Sequence, residues 1–423
     1  MRRYKSVAIY IFSFGFARGM LFFSPILLAN LLPRVAYGTV EFAHATGTFC
    51  ATIFGFGTAA VLPLIVLGKS LKASVISIYL HYLMLTLACV VGFLISLFYD
   101  ASSSTQLIFL MTIAIALQSL LSIQFKTIGQ GELALFLDAG VFLVFVITSA
   151  VYQLINVGNV VIWIFYALCF YVFMLTVWCI KFLKEDILNF NVAMYFSTLK
   201  LGIPLMVGAF VTVAIMSGRL ITGYLGGAIL TADYAVLART AALPMAAHQV
   251  LLGINFQKLY TITEEEIEGF MLKIIGMVSV FVVSMWLLAP FLDWIFGKAF
   301  AMAYRKDSFS GVMILFQSIL WSGIALNDFM NTREHKATKV LPWSISYLIV
   351  SLPVAFFVIK NIGISLENFV LVHSTLMFFF YFLQSMGMYC NGVNLKKVWT
   401  FTVLVYLVLS IIEIALWFHL IDL

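Results

Sequence analysis

Charged side chains inside long apolar runs are the residues of this sequence best suited to chemistry. Arg18, Arg219 and Arg239 lie in such runs, as do the carboxylates Glu41 and Asp138. A charge at the centre of a bilayer costs about 2.5 to 3.5 kcal/mol, so it usually faces a protein interior or a water-filled cavity. Guanidinium groups bind phosphate there, and a carboxylate can carry a coupling proton or neutralise an arginine. We therefore predict three substrate-binding arginines and two ion-coupling carboxylates.

Depth in the membrane distinguishes the three arginines. Arg18 lies near the centre of the first apolar run, whereas Arg219 and Arg239 lie roughly 9 to 12 Å from the outer ends of theirs. Snorkelling towards the interface accounts for Arg219 and Arg239 as well as cavity lining does. For Arg18 the alternative to anion binding is an ion pair with Asp138. Both alternatives stay open.

Other motifs in the sequence predict packing rather than catalysis. Small residues recur every four positions at Gly47, Ala51, Gly55 and Ala59. On a helix this spacing forms one ridge that a second helix can approach closely. No cysteine or histidine spacing suits zinc, and no glycine motif follows a strand as a nucleotide site requires. We predict no catalytic residue, metal or cofactor.

Helices that cross a membrane must position these residues. The chain has 423 residues, of which 63% are hydrophobic and 10% charged. Apolar runs of 20 residues or more span a bilayer as helices, so we predict an all-α polytopic membrane protein. Six prolines inside the runs can bend them: Pro25, Pro63, Pro204, Pro244, Pro290 and Pro353. The thirteen predicted spans are 6–32, 39–67, 73–98, 105–124, 133–154, 159–180, 199–225, 231–257, 270–296, 308–330, 340–359, 366–389 and 398–420.

The distribution of basic residues predicts the orientation in the membrane. With a cytoplasmic amino terminus, 16 of the 24 lysines and arginines lie in cytoplasmic connections and 5 lie outside. Cytoplasmic loops are enriched in these residues, so the pattern supports this threading. The net charge of +6 therefore reflects membrane topology, and we expect no nucleic-acid partner. We therefore predict a multi-pass membrane protein with a cytoplasmic amino terminus.

Two stretches of sequence carry a family resemblance. The first runs from Arg18 to Pro63, and the second from Leu199-Lys200-Leu201-Gly202-Ile203-Pro204-Leu205 through Ser217-Gly218-Arg219 to Tyr234. Together they resemble the bacterial polysaccharide flippases, which belong to the superfamily of multidrug, oligosaccharidyl-lipid and polysaccharide exporters. The matching residues of the first stretch are Leu32-Pro33, Tyr37-Gly38, Glu41 and Phe56-Gly57.

The resemblance implies two six-helix lobes around a central cavity, related by a pseudo-two-fold repeat. We expect lobes at 1–184 and 199–390, a cytoplasmic connection at 185–198, and an appended helix outside the core at 391–423. Tyr37 and Tyr234 each open the second helix of their half, as a parallel repeat predicts. The family commonly has Asp-Arg where this chain has Gly218-Arg219, which is expected to leave Arg219 freer to meet an anion.

The function implied is transport of a polyprenyl-diphosphate-linked oligosaccharide, such as an O-antigen unit, to the periplasmic leaflet of a bacterial inner membrane by alternating access. The expected partners are this lipid-linked substrate, the bilayer and polysaccharide-assembly proteins, with the oligomeric state open. A cation-coupled multidrug antiporter is the first alternative, and it is expected to use unpaired membrane carboxylates. A membrane glycosyltransferase or polymerase is the second, and it is expected to carry a large outer loop. We therefore predict a transporter rather than an enzyme.

Overall fold

Helices joined by short connections form the described parts of the chain. The computed structural model describes residues 2–66, 74–99, 102–155, 158–183, 190–254, 263–334 and 336–421. Its helices are α1 Arg2–Leu31, α2 Arg34–Phe54, α3 Thr58–Val66, α4 Val75–Phe98, α5 Ser103–Thr127, α6 Gly131–Asp138, α7 Gly140–Ile155, α8 Val160–Leu183, α9 Val192–Met216, α10 Gly218–Ile254, α11 Glu264–Leu288, α12 Asp293–Lys306, α13 Ser308–Arg333, α14 Ala337–Ile362, α15 Leu366–Cys390 and α16 Lys396–Ile421.

The helices confirm the all-α polytopic fold class. Within the described residues, 10 helices are long and apolar enough to cross a membrane. The pairs α2–α3 and α6–α7, bent by 54° and 55°, raise the number to 12 if each pair is one span. The apolar part of α1, Gly15–Leu31, lies where the first span is predicted. Each predicted span thus coincides with a helix or a bent pair of helices.

The two sharply bent pairs, α2–α3 and α6–α7, break at short loops that contain no proline. Of the six prolines, Pro290 lies in the short 3-10 turn Ala289–Phe291 between α11 and α12, as a proline-induced break predicts. The other five, Pro25, Pro63, Pro204, Pro244 and Pro353, lie inside helices. The break after α2 instead has Phe56 and Gly57 in the left-handed region, with φ of 48° and 64°. A Cβ at Gly57 would overlap the backbone of Gly202 in α9, so glycine is needed there for both conformation and space. The break therefore brings α9 into close backbone contact with the second span.

The boundary between the seventh and eighth spans differs from the prediction. The sequence placed it between 225 and 231, but α9 ends at Met216 and α10 begins at Gly218. The predicted connection instead falls at a kink within α10, where Gly227 has φ 73°. Arg219 consequently lies in the first turn of α10 and not inside the seventh span.

The helices form two compact units, Met1–Gly223 and Tyr224–Leu423. The unit that contains Arg219 is called unit 1, and the other is called unit 2. Unit 1 includes α9, which packs on α2 and α3, whereas the sequence assigned this helix to the second lobe. The lobe boundaries at 184 and 199 therefore remain a prediction.

Unit 1 is organised around α5, which packs against α2, α4, α6 and α8. Met111 and Leu117 of this helix have about 0% of their surface exposed. A Cβ at Gly47 of α2 would meet Met111 at 2.5 Å, so the two helices touch through a glycine. The ridge of small residues predicted from the sequence therefore packs as expected at Gly47, although α2 ends before Gly55 continues it.

Unit 2 is organised in the same way around α13, which packs against α11, α15 and α16. Helix α16 is the thirteenth predicted span, which the sequence placed outside the core. Its Val398 and Thr402 are buried, and its Trp399 donates a hydrogen bond to Asn327 of α13. Helix α16 thus packs on α13 and α11 of unit 2, and its place outside the two six-helix lobes stays a prediction.

The acidic residues at the start of α11 make two structural contacts. Glu266 and Thr263 form a reciprocal capping box that satisfies backbone donors at the start of the helix. Glu268 accepts a hydrogen bond at 2.8 Å from the backbone nitrogen of Lys397, the second residue of α16. These residues therefore fix the start of α11 and its position against α16.

Candidate functional site

A buried ion pair brings two of the predicted site residues together in unit 1. Nη1 of Arg219 lies 2.6 Å from Oε2 of Glu41, although 178 positions separate the two residues. The side chain of Glu41 is only 4% exposed and that of Arg219 is 21% exposed. Tyr37, one turn before Glu41, donates its hydroxyl to Oε1 at 3.2 Å. Both oxygens of the carboxylate are therefore engaged.

Local sequence explains why this pair can form. Tyr37 and Glu41 are four residues apart and share one face of α2, and Arg219 and Gly223 share one face of α10 in the same way. A Cβ at Gly223 would overlap the ring of Phe42, so the glycine allows α10 to approach α2 closely. The guanidinium then reaches Glu41 without a long extended side chain.

The pair corrects the expectation for Arg219. From the family resemblance we expected Arg219 to be freer to bind an anion, because Gly218 stands where the family commonly has aspartate. The structure supplies the missing carboxylate from α2 instead, and snorkelling is not needed to explain the position. Of the two roles open to Glu41, neutralising an arginine is the one that the geometry shows.

Asp138 lies at the break between α6 and α7, where it has other partners. Its Oδ2 is 2.8 Å from Nζ of Lys126, and its Oδ1 accepts from the Ser122 hydroxyl at 2.5 Å. The aspartate is 31% exposed and the lysine 50% exposed, so this pair is partly solvated. Asp138 therefore neutralises a lysine of α5 in the described structure.

The side chain of Gln118 forms hydrogen bonds with backbone groups on both sides of the same break. Its side-chain amide donates to the carbonyl oxygen of Asp138 at 3.1 Å and accepts from the backbone nitrogen of Val141 at 3.1 Å. Tyr171 of α8 donates to the same amide oxygen at 3.1 Å. Because a broken helix leaves unpaired backbone groups that cost free energy in a membrane, these bonds stabilise the bend.

The described structure does not test the roles predicted for Arg18 and Arg239. The side chain of Arg18 lies outside the described residues, while its neighbour Ala17 is buried against Leu135 and Ala139. Arg239 is half-buried in α10, after the kink at Gly227, and belongs to unit 2. Substrate binding by either arginine, and pairing of Arg18 with Asp138, stay predictions.

His81 is a hydrogen-bonded structural residue, the role that sequence reasoning gave to histidines in spans. Its Nε2 lies 2.8 Å from the Phe54 carbonyl oxygen, and its Nδ1 lies 3.0 Å from the Tyr195 hydroxyl. Since a carbonyl can only accept, Nε2 donates, and the neutral ring accepts from Tyr195. The histidine therefore caps the end of α2 and joins it to α9.

Sequence reasoning missed a polar network in unit 2. Asn327 donates to Gln384 at 3.2 Å and to Ser385 at 3.0 Å, and its own Oδ1 accepts from Trp399 at 3.0 Å. Gln384 in turn donates to Asp328 at 2.7 Å. The signal was present as Asp328 inside the predicted span 308–330, which was not singled out, and as uncharged amides, which a search for charged residues passes over.

Glu413 differs from the buried carboxylates Glu41 and Asp233. It is 8% exposed and accepts a hydrogen bond from the Trp286 indole nitrogen at 3.1 Å. Glu41 and Asp233 pair with Arg219 and Lys306, whereas the only hydrogen-bond partner of Glu413 in the described structure is this neutral ring. Glu413 was not singled out from the sequence.

Comparison with known proteins places the fold. No family model and no curated protein matches the chain. An inward-facing multidrug resistance MATE family transporter of the MOP superfamily matches with a TM-score of 0.60 and 15% identity, covering 90% of this chain and 96% of the other. The fold is that of the MATE transporters. An outward-facing member matches with a TM-score of 0.53 and 14% identity, covering 91% and 94% of the two chains.

A solved structure of a transporter from Pyrococcus furiosus also matches the chain. This MOP superfamily transporter, in which a reverse polarity of the binding pocket suggests a different function, matches with a TM-score of 0.50 and 12% identity. The alignment covers 91% of this chain and 94% of the other. At these identities the likeness is one of fold. It confirms the all-helical fold of a multi-pass membrane protein, and it leaves the predicted superfamily, the transport role and the polysaccharide substrate to be tested.

Proposed function

We propose that this MATE-like protein is a flippase that moves a polyprenyl-diphosphate-linked oligosaccharide from the cytoplasmic to the periplasmic leaflet of a bacterial inner membrane. The observation that carries the proposal is the state of the carboxylates Glu41, Asp138 and Asp233, which lie within 3.2 Å of Arg219, Lys126 and Lys306. A carrier of organic cations needs open carboxylates, and these three are already neutralised. A diphosphate needs cations instead, and the in-span arginines supply them.

Alternating access fits the physical demand of this substrate. A charged sugar head must cross the hydrocarbon layer while its lipid stays in the bilayer, so guanidinium groups must replace the water around the diphosphate. The Glu41–Arg219 pair could serve this step, because a diphosphate can compete with a carboxylate for the guanidinium. Arg18 and Arg239 are the other arginines that we propose to contact it.

A cation-coupled multidrug antiporter is the competing function, and the structural comparisons favour it. The similar solved structures include multidrug resistance transporters that align over about 90% of this chain. Within the chain, Glu413 is the observation in its favour, because this buried carboxylate meets only a neutral indole among the described residues. Glu413 would then bind the coupling ion.

Deletion of the gene separates the two functions. A flippase predicts loss of surface polysaccharide together with accumulation of the lipid-linked unit on the cytoplasmic side. An antiporter predicts normal polysaccharide and greater sensitivity to cationic drugs. Complementation by Glu413→Gln adds a second test, since restored polysaccharide export would exclude an essential ion-coupling role for that carboxylate.

Substitutions at Arg18 test the proposed contact with phosphate. Activity is expected to fall from Arg18 to Arg18→Lys to Arg18→Gln at constant protein level, because guanidinium binds phosphate through two parallel donors and lysine acts as a point charge. If Arg18 pairs with Asp138 instead, Arg18→Gln lowers the amount of folded protein, and adding Asp138→Asn restores it. Full transport by Arg18→Gln would exclude both roles.

Single-cysteine labelling tests the proposed orientation. Asn191 caps the start of α9 and follows the connection that we place in the cytoplasm. A cysteine at this position should resist an impermeant reagent added to intact cells and react after the membrane is opened. Labelling from outside would reverse the orientation.

A further inference from the structure

An apolar groove lies between the last two helices of unit 2. It has a volume of about 710 Å³ and is walled by side chains of α15 and α16 that include Phe382, Met386, Leu404 and Val408. These four side chains are 51%, 45%, 59% and 47% exposed. The volume is in the range of ligand sites, about 300 to 1,000 Å³. The groove is therefore large enough to hold a ligand and is open along its length.

One lysine, Lys396, lies at one end of this apolar groove. Lys396 begins α16 and lines the groove, with its Nζ 4.9 Å from the centre of the Tyr389 ring. In the described structure no carboxylate lies within ion-pair distance of Lys396. From this lysine the lining continues to Ile411, which is roughly 22 Å along a helix and more than half of a hydrocarbon core. One end of the groove thus suits an anion and the rest suits a hydrocarbon chain.

The neighbouring lysine shows that this arrangement is specific to Lys396. Lys397 has its Nζ 3.9 Å from Oε2 of Glu268 and is not part of the groove lining. Two adjacent lysines of equal charge therefore differ in environment, since one has a carboxylate partner and the other faces the groove.

We propose that this groove is a binding site for an anionic phospholipid of the bilayer, with the headgroup phosphate at Lys396 and one acyl chain along α15 and α16. Charge complementarity decides the occupant. One lysine matches the single negative charge of a phosphodiester, whereas a diphosphate carries more charge than a lone point cation neutralises. The site is separate from the proposed transport of sugar-linked lipids and does not depend on it.

Lipid binding to the full-length protein tests the proposal. Native mass spectrometry of protein extracted from nanodiscs of phosphatidylcholine with a minor fraction of phosphatidylglycerol measures how many phosphatidylglycerol molecules remain bound. Lys396→Gln should weaken that binding about fivefold, the effect of one lysine near a membrane surface. Lys397→Gln is the matched control and should leave it unchanged.

A second pair of variants tests the groove itself. Val403→Trp fills the space between α15 and α16 and should displace the lipid, whereas Val405→Trp, on the same helix but outside the groove lining, should not. Equal losses for Lys396→Gln and Lys397→Gln, no loss for either, or retained binding in Val403→Trp would overturn the proposal. Displacement of phosphatidylglycerol by equimolar polyprenyl phosphate would assign the groove to the transported lipid and also overturn it.

Discussion

The predicted site residues of unit 1 and the helices packed on α13 in unit 2 are joined by different chemistry, although unit 2 also contains the ion pairs Asp233–Lys306 and Glu268–Lys397. Each unit is organised around the fourth span of its half, α5 in unit 1 and α13 in unit 2. In unit 1, ion pairs join the helices, with Arg219 on Glu41 and Lys126 on Asp138. Around α13 the amides of Asn327 and Gln384 and the indole of Trp399 make the contacts, with Asp328 as an acceptor.

The difference indicates which contacts are suited to change during the proposed transport. A competing anion or a proton can separate an ion pair, and a stranded charge is costly in a membrane. The bonds of Asn327 with Gln384, Ser385 and Trp399 join neutral groups, so they hold α13, α15 and α16 together without depending on a charge. We infer that these three helices move as one body, and that the Glu41–Arg219 contact is the one that can open.

Removal of α16 tests the inference that this helix moves as one body with α13 and α15. It has the largest expected effect. A chain ending before Lys396 exposes the buried face of α13 and removes the Trp399 donor from Asn327. We expect it to fail to accumulate in the membrane, as measured by immunoblot of membrane fractions against the full chain. Normal accumulation would support the view that this helix is appended.

Substitution of Arg219 tests the contribution of the buried Glu41–Arg219 ion pair of unit 1. Arg219→Gln leaves Glu41 buried without its cation and should lower the free energy of unfolding by about 3 to 5 kcal/mol. Thermal unfolding of the detergent-solubilised protein measures this, and the double variant with Glu41→Gln should recover most of the loss.

Arg305→Gln is the matched control for the Arg219 experiment. Its pair with Asp293, at 3.2 Å, has an arginine side chain that is 77% exposed, so solvent screens it and little change is expected. A loss in Arg219→Gln no larger than in Arg305→Gln would contradict the special importance of the buried pair.

Asn327→Ala probes the neutral network and should have an intermediate effect. The change leaves Trp399 without its acceptor and Gln384 without a donor, which costs about 1 to 3 kcal/mol of stability. Asn361→Ala, at an exposed site where the amide bonds only to Phe357, serves as the control and should be near neutral. If Asn327→Ala matched Arg219→Gln, the contrast between the two units would not hold.

Lys126→Gln should have the smallest effect. Asp138 keeps its bond from Ser122 and remains partly exposed, so losing the lysine should cost about 0 to 1 kcal/mol. Unfolding curves at low and high salt provide the measurement, because a screened pair loses its small contribution as salt rises. A loss as large as that of Arg219→Gln would show that Asp138 depends on its cation despite its exposure.

The sequence by itself determined the fold class, the positions of the spans and the close packing at Gly47. Hydropathy decides these, because any run of about 20 apolar residues must cross the bilayer as a helix wherever its neighbours lie. The sequence also selected Glu41 and Arg219 as noteworthy, since a charge in an apolar run is visible without a structure.

Only the tertiary structure decided the partners and the breaks. Glu41 and Arg219 are 178 positions apart, and no local pattern tells which buried charges meet. Bends were expected at prolines, but neighbouring helices and side chains such as Gln118 and His81 stabilise breaks elsewhere. Helix α16 was placed outside the core by its number in the chain, and that number does not predict the bond from Trp399 to the buried Asn327 of α13. Each outcome depends on contacts between distant segments, and hydropathy carries no information about those contacts.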